Sequence, residues 1–387
     1  MVSMKEMLTG KPQLNRVVNR RLILDRIRRA GRISRAQLAE VTAIRPPTVS
    51  AIIKDLIVEG LVEEVGNGQS RGGRAPRMVS LAGKRARAVG FEVSETAIRA
   101  GVCDLNGKLT AKKSVEFYPT TPERTIDRMH ALGEELLANI DSSWEDIEGV
   151  GVALPGHLDP LRGIVRWSKP LEWKDVAFRR LCQERWGIDT DLVNDSMAGG
   201  LAAHSSEAAS GVKNLIYLYL RFHVVGAHSA DRVHGVLGIG SGIIINGEPY
   251  HGEFGAAGEI TTLVAHPMVD ARDEQGNAFE TVDAFCTALA AEQPSAVKSM
   301  DRVAEDMSHL VVHAVNFLEP GQLILGSDNS MLRDELLVRL QQILDRHRLR
   351  HEAGKTKLVV SELGEYGAVR GAVVPVLQRM FRMPRWT

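Results

Sequence analysis

Cysteine is scarce: 387 residues hold only Cys103, Cys182 and Cys286. Their spacing fits neither a metal site nor a disulfide framework, which points to a reduced, cytosolic protein. Long apolar runs are missing too. No stretch approaches the ~20 residues needed to span a bilayer. The first residues, MVSMKEMLTGKPQLNR, lack the apolar core of a signal peptide. The expectation is a cytoplasmic protein with no membrane partner. Net charge is also missing, since 48 Lys+Arg balance 48 Asp+Glu. That balance hides a split. Residues 1–87 hold 18 basic and 7 acidic residues, an excess of +11, and the rest hold 30 and 41, or −11. Such asymmetry is the footprint of a nucleic-acid-binding module joined to a body that is not one. The plainer alternative is a basic solvated surface. Composition is ordinary globular, at 44% hydrophobic and 25% charged, and the length suggests two or three domains.

The basic part reads as three helices and a wing. RLILDRIRRAG (21–31) turns Leu22, Ile23 and Ile27 to a core, and Gly31 stops it. ISRAQLAEVTA (33–43) opens with Ser34 and, three residues on, Gln37, a capping box; Ile33 and Leu38 fit the matching hydrophobic staple. In RPPTVSAIIKDLIVEG (45–60), Val49, Ile52, Ile53, Leu56 and Ile57 share one helical face. Pro46 and Pro47 fit only its first turn. This is a helix-turn-helix pattern. LVEEV (61–65) and RMVSL (77–81) then flank GNGQSRGGRA as a two-stranded wing. The third helix is expected to enter a major groove by its N-terminal end. Thr48, Ser50, Ala51 and Lys54 lie off its apolar face, and Arg45 sits at its start. Arg71, Arg74 and Arg77 are placed to reach phosphates or a narrow minor groove. The DNA-contact set is therefore Arg45, Thr48, Ser50, Lys54, Arg71, Arg74 and Arg77; the bland alternative for the arginines is solvated loop charge.

From about residue 84 the pattern changes. GFEVSETAIRAGVCDLNGKL (90–109) reads as a hairpin turning at Asn106-Gly107. Strands are expected at 149–156, 189–195, 214–220, 237–247, 322–327 and 357–363. Helices are expected at 121–140, 176–187, 282–292, 303–318 and 368–381. Strands alternating with helices indicate an α/β body, and no fixed-period repeat is visible.

The stretches GVALPGHLDPLRGIV, LVNDSMAGGLAA, LGIGSGIIINGEPYHGEFGAAGEI and SELGEYGAVRGA, behind ISRAQLAEVTAIRPPTVSAIIKDLIVEGLVEE, resemble the ROK family (repressors, open reading frames and sugar kinases) over nearly the whole chain. The combination resembles its repressor branch, the one with the xylose and N-acetylglucosamine repressors. The resemblance implies an N-terminal winged helix-turn-helix plus a two-lobed actin-like (ribonuclease H-like) ATPase-type sugar kinase fold. The expected division is a flexible arm at 1–15, the helix-turn-helix at 16–66 and a wing and Arg/Gly-rich linker at 67–83. Lobe 1 would span 84–195 plus 366–387 and lobe 2 would span 196–365, with the sugar cleft between them.

The resemblance also implies a sugar-contacting set. The family's Asn-Asp pair is Asn194-Asp195 here, read as a sugar-contacting pair; the alternative is an Asx turn or helix cap before MAGGLAA. Glu259 matches a sugar-contacting Glu, and Glu280 survives in Phe279-Glu280-Thr281. Other positions depart. The family's zinc-binding His and Cys-rich run are replaced by Thr262 and ARDEQGNAFET (271–281), so no structural zinc is expected. His266 and Asp270 remain as scattered residues. The expected polyol set is Asn194, Asp195, Glu259, Thr262 and Glu280. At the first phosphate loop, Glu92, Ser94, Glu95 and Thr96 stand where kinases have Asp and Gly-Gly-Thr, and Gly326-Ser327 stands for a later Gly-Gly. Phosphates need bare N–H groups and little negative charge, and Glu95 would put a carboxylate among them. About a dozen extra residues, with His223, His228 and His234, interrupt YLRFHVVGAHSADRVHGVLGIG (219–240); a metal or pH role and an exposed insertion loop both fit.

The expected protein is thus a DNA-binding regulator of carbohydrate genes, without cofactor, catalytic residue or metal. Its partners would be operator DNA and a sugar or sugar-derivative effector, in a homodimer or homotetramer. The rivals are a ligand-independent regulator whose body only dimerises, and an active sugar kinase with an appended head.

Overall fold

Short-range chemistry sets the head. Its elements are α1 (Pro12–Ala30), β1 (Ile33–Ser34), α2 (Arg35–Thr42), α3 (Pro46–Val58), β2 (Val62–Asn67) and β3 (Arg77–Leu81). The structure is a computed structural model that describes residues 12–68, 75–82, 88–209, 211–222, 237–260, 272–279, 281–347 and 356–381. The Ser34 hydroxyl accepts from the Gln37 backbone N–H, and the Gln37 side chain accepts from the Ser34 N–H at 3.0 Å, closing the capping box. Ala43, left-handed at φ +55, turns the chain into α3, whose first turn holds both prolines. Val49, Ile52, Ile53 and Leu56 of α3 are buried with Ile23, Ile27, Ile33 and Leu38. The wing has three strands rather than two, ordered β1-β3-β2, because Ile33 and Ser34 pair with Val79 and Met78. Helix α1 begins at Pro12, so the last residues of the expected flexible arm are helical.

The body opens with a meander of β4 (Ala88–Val93), β5 (Ala97–Cys103) and β6 (Leu109–Glu116). The expected single hairpin is therefore two. The first turns at Ser94–Thr96, closed by the Ser94 hydroxyl on Ala97. The Asn106-Gly107 turn joins β5 to β6, with Asp104 Oδ1 accepting from the N–H groups of Asn106 and Lys108. There follow α4 (Pro122–Ala138), β7 (Gly149–Leu154), a small sheet of β8 (His157–Asp159), β9 (Ile164–Ser168) and β10 (Trp173–Val176), then α5 (Phe178–Trp186), β11 (Thr190–Asn194) and α6 (Asp195–His204). The second half has β12 (Leu215–Phe222), β13 (Leu237–Ile245), β14 (Glu248–Pro249), α7 (Val282–Ala290), α8 (Pro294–Leu318), β15 (Gln322–Ser327), α9 (Ser330–His347), β16 (Lys357–Val360) and α10 (Gly367–Phe381).

Two five-stranded sheets result, ordered β11-β7-β4-β5-β6 and β14-β13-β12-β15-β16. Each is built by one rule. Three successive strands run antiparallel, then two more add in parallel beside the first. Each lobe has its own core, one around Phe91, Met129 and Phe178, the other around Phe285, Met300 and Leu336. Helices α6 and α10 lie between them at very close range. A Cβ on Gly371 would come within 1.6 Å of the Ala198 carbonyl oxygen, so only glycine fits. The far end of α10 reaches the head, where Val373, Val376, Leu377 and Phe381 share one core with Ile23, Leu24 and Ile27.

Candidate functional site

On the head, α3 divides into a buried and a free face. Arg45 caps its N-terminus without a side-chain bond to the helix. Arg45, Thr48, Ser50, Ala51 and Lys54 are all exposed. Pro46 and Pro47 carry no N–H and the Thr48 N–H is bonded to the Arg45 carbonyl at 2.9 Å, so the exposed Arg45 and Lys54 side chains, rather than the helix terminus, suit a phosphate or a groove edge. Arg77 is exposed on the wing but is paired with Glu64 at 2.9 Å, which also holds Arg35 at 3.0 Å. Arg71 and Arg74 lie outside the described residues.

The second site lies between the lobes. Asn194 ends β11 and caps α6: its Oδ1 accepts from the N–H groups of Ser196 and Met197, at 3.0 and 3.2 Å, and its Nδ2 donates to the Gly156 carbonyl at 3.1 Å. The capping alternative is therefore realised at Asn194. Next to it, Asp195 Oδ1 accepts from the Ser196 N–H at 2.7 Å, and Oδ2 forms an ion pair with Arg221 of β12. The Arg221 guanidinium lies 5.4 Å from the Tyr219 ring centroid. Burial disfavours its charge, but Asp195, Glu92 and Tyr219 outweigh that and hold its pKa above the ordinary arginine value.

Glu92 of β4 is 5% exposed. Arg99 on β5 sits 3.4 Å from Glu92 and 3.0 Å from Glu365. Burial pushes the Glu92 carboxyl above its usual range, against the pull of Arg99 and Arg221. Glu92, Asp195, Tyr219 and Arg221 line a cavity of about 20 Å³. Glu95, expected among the phosphates, is exposed on the turn. The cleft-lining carboxylate is Glu92, which the strand turns inward.

The glycine-rich run has a packing reason. A Cβ on Gly240 would lie 1.9 Å from Ser196 Oγ, so β13 approaches the α6 N-terminus only as glycine. Gly240 forms an isolated antiparallel bridge with Glu259, which brings that residue near Ser196 at the start of α6. Partial desolvation, then repulsion by Asp195, raises the Glu259 pKa, while His157 lowers it. His157 is itself held by a 2.8 Å hydrogen bond to the Phe254 carbonyl. Asp195 and His157 both act electrostatically on the Glu259 carboxyl. Thr262, Glu280, His266, Asp270 and the histidines of 223–234 lie outside the described residues. Among the described residues, no three His, Cys, Asp or Glu side chains group to hold a metal. Arg221 and Arg99 escaped the sequence reading. The available signal was an arginine in the otherwise apolar strand LIYLYLRF, a charge that burial obliges to find partners.

Two family models match parts of the chain: "ROK family" over residues 88–271 and "Winged helix-turn-helix DNA-binding" over residues 18–63. This chain carries a ROK domain behind a winged helix-turn-helix head. Similar curated proteins include the xylose repressor of Caldicellulosiruptor bescii, 24% identical over 97% of this chain and all of that protein. The DNA-binding transcriptional dual regulator NagC of Escherichia coli is 24% identical over 96% of this chain and 95% of that protein. Among solved structures, a ROK family transcriptional regulator described as a homologue of the E. coli MLC protein aligns with a TM-score of 0.74 at 17% identity, covering 95% of this chain and 97% of that one. The ROK hexokinase of Thermus thermophilus aligns at 0.59 and 23% identity, over 74% of this chain and 97% of that one. The ROK fold thus accounts for the paired sheets, and the shorter hexokinase match is consistent with the head being additional to it.

Proposed function

We propose that this chain is a DNA-binding transcription regulator of carbohydrate genes whose ROK body senses a sugar. The observation that carries the reading is the joining of the two sites. An α3 with a free Arg45, Thr48, Ser50 and Lys54 face shares a core with the far end of α10, whose first residues line the interlobe cleft. The named repressors among the relatives support the same class. Operator DNA is read by α3 and clasped by the wing, and two copies address two half-sites. A sugar contacting Asp195 and Glu259 changes the disposition of the lobes and hence of α10. The body does not transfer phosphate in this reading. Glu92 occupies the strand before the first turn, and Asp195 Oδ2 is already committed to Arg221.

The test is a thermal-shift screen of the intact protein against sugars, followed by DNA-binding titrations with any sugar that acts. Saturation at ~100-fold over Kd adds about 2.7 kcal/mol of stability. Loss of the shift in Glu259→Ala assigns the cleft. A specific observation also favours a second reading, in which the body only dimerises: Asn194 is used as a cap and Asp195 as an ion-pair partner. That reading predicts wild-type regulation from both Asp195→Ala and Glu259→Ala.

A further inference from the structure

Two arginines reach into the interlobe space from opposite sheets. Arg221 leaves the second sheet and reaches Asp195 at the head of α6, with Glu92 of the first sheet within its field. Arg99 leaves the first sheet and reaches Glu365, just before α10, while also holding Glu92. The enclosed space left among them is about 20 Å³, room for one water. The charges point the same way. Among the described residues around the cleft, the carboxylates are Glu92, Asp195, Glu259 and Glu365, and the cations Arg221 and Arg99 are both paired. An added anion finds no uncommitted arginine there, and it meets a surplus of carboxylates.

We propose that Arg221 fills the floor of the interlobe cleft with the chain's own cation and clamps the lobes together, so that the site takes an uncharged sugar and rejects nucleotides and sugar phosphates. The ligand class rests on the reading of the body as a sugar sensor; the clamp does not. Hydroxyl groups of a neutral sugar can donate to the remaining lone pair of Asp195 Oδ2 and to Glu259 without breaking the Arg221 pair. A phosphate would have to take Arg221 from Asp195 and leave that carboxylate buried without its cation.

Two measurements on the intact protein test this. In thermal shift, inorganic phosphate, the non-hydrolysable ATP analogue AMP-PNP and hexose 6-phosphates at 5 mM are expected to leave Tm unchanged, while a neutral aldose or N-acetylamino sugar raises it. Stabilisation by any of the phosphates overturns the proposal. In hydrogen exchange, Arg221→Met is expected to speed amide exchange at least tenfold in 88–93 and 195–204 and leave 35–58 of the head unchanged; Arg221→Lys, which keeps a cation, falls between. Exchange in those segments equal to wild type overturns the clamp. Faster exchange with no response to any sugar upholds the clamp and sinks the sugar-sensing reading alone.

Discussion

Glu92 is a carboxylate at 5% exposure, 3.4 Å from one arginine and within the field of another. Burial dominates and raises its folded pKa above the ordinary 4.5. A carboxyl raised on folding contributes stability below its unfolded pKa and loses it as pH rises through the folded value. Glu92→Gln should therefore flatten the fall in stability that starts near pH 4.5 and continues upward, as read by urea midpoints from pH 4 to 8. Parallel profiles for the two proteins would contradict this. Ser34 offers a second residue-scale test: Ser34→Ala removes the cap of α2 and should lower head stability by about 1 kcal/mol in urea unfolding. Ser34 was legible in the sequence because its partner Gln37 is three residues away. Arg221 was not, because its partner Asp195 lies 26 residues off and meets it only in the folded body. Asn194 was half legible. Its motif marks a strand end, but the Gly156 carbonyl that takes its amide is 38 residues back.

At the scale of elements, periodicity marked α3 and misjudged others. Leu332, Leu336, Leu340 and Leu344 are all buried along α9, at helical spacing, yet the sequence reading assigns nothing to 330–347. Charges interleaved among those leucines hide the stripe. The Asn106-Gly107 signal correctly marked a turn, but the alternation on either side could not say which two strands it joined. The turn at Ser94–Thr96 has no glycine to announce it. Helix α3 supports a direct prediction. Arg45→Ala and Lys54→Ala should each weaken DNA binding, and a residue touching phosphate should also reduce the salt slope by about 1. Anisotropy titrations on selected duplex DNA at several salt concentrations measure both; unchanged affinity in both variants would remove α3 from the interface. Between the lobes, Gly371→Val must push α10 off α6, because even a Cβ meets the Ala198 carbonyl. The expected loss is about 2 kcal/mol or more in urea unfolding, with the far-UV signal retained.

At the scale of the molecule, the two similar sheets, the cleft and the head meet on α10. Gly367 and Ala368 at its start line the cleft cavity, and Leu377 and Phe381 at its end lie in the core of the head. The Arg28 guanidinium covers the Phe381 ring at 5.2 Å. A sugar that shifts the lobes therefore has a continuous route along α10 to α1, with Pro375 inside the helix removing one backbone hydrogen bond on the way. Phe381→Ala should cost about 3 kcal/mol at that junction and split one calorimetric transition into two. The measurement that bears most directly on the account is DNA binding by the intact protein, with and without a sugar. Duplexes enriched from a random-sequence pool serve as the operator, and anisotropy gives Kd. The account predicts a defined enriched sequence and at least a fivefold change in Kd when a stabilising neutral sugar is added. No enriched sequence, or a Kd that every sugar leaves unmoved, would contradict it.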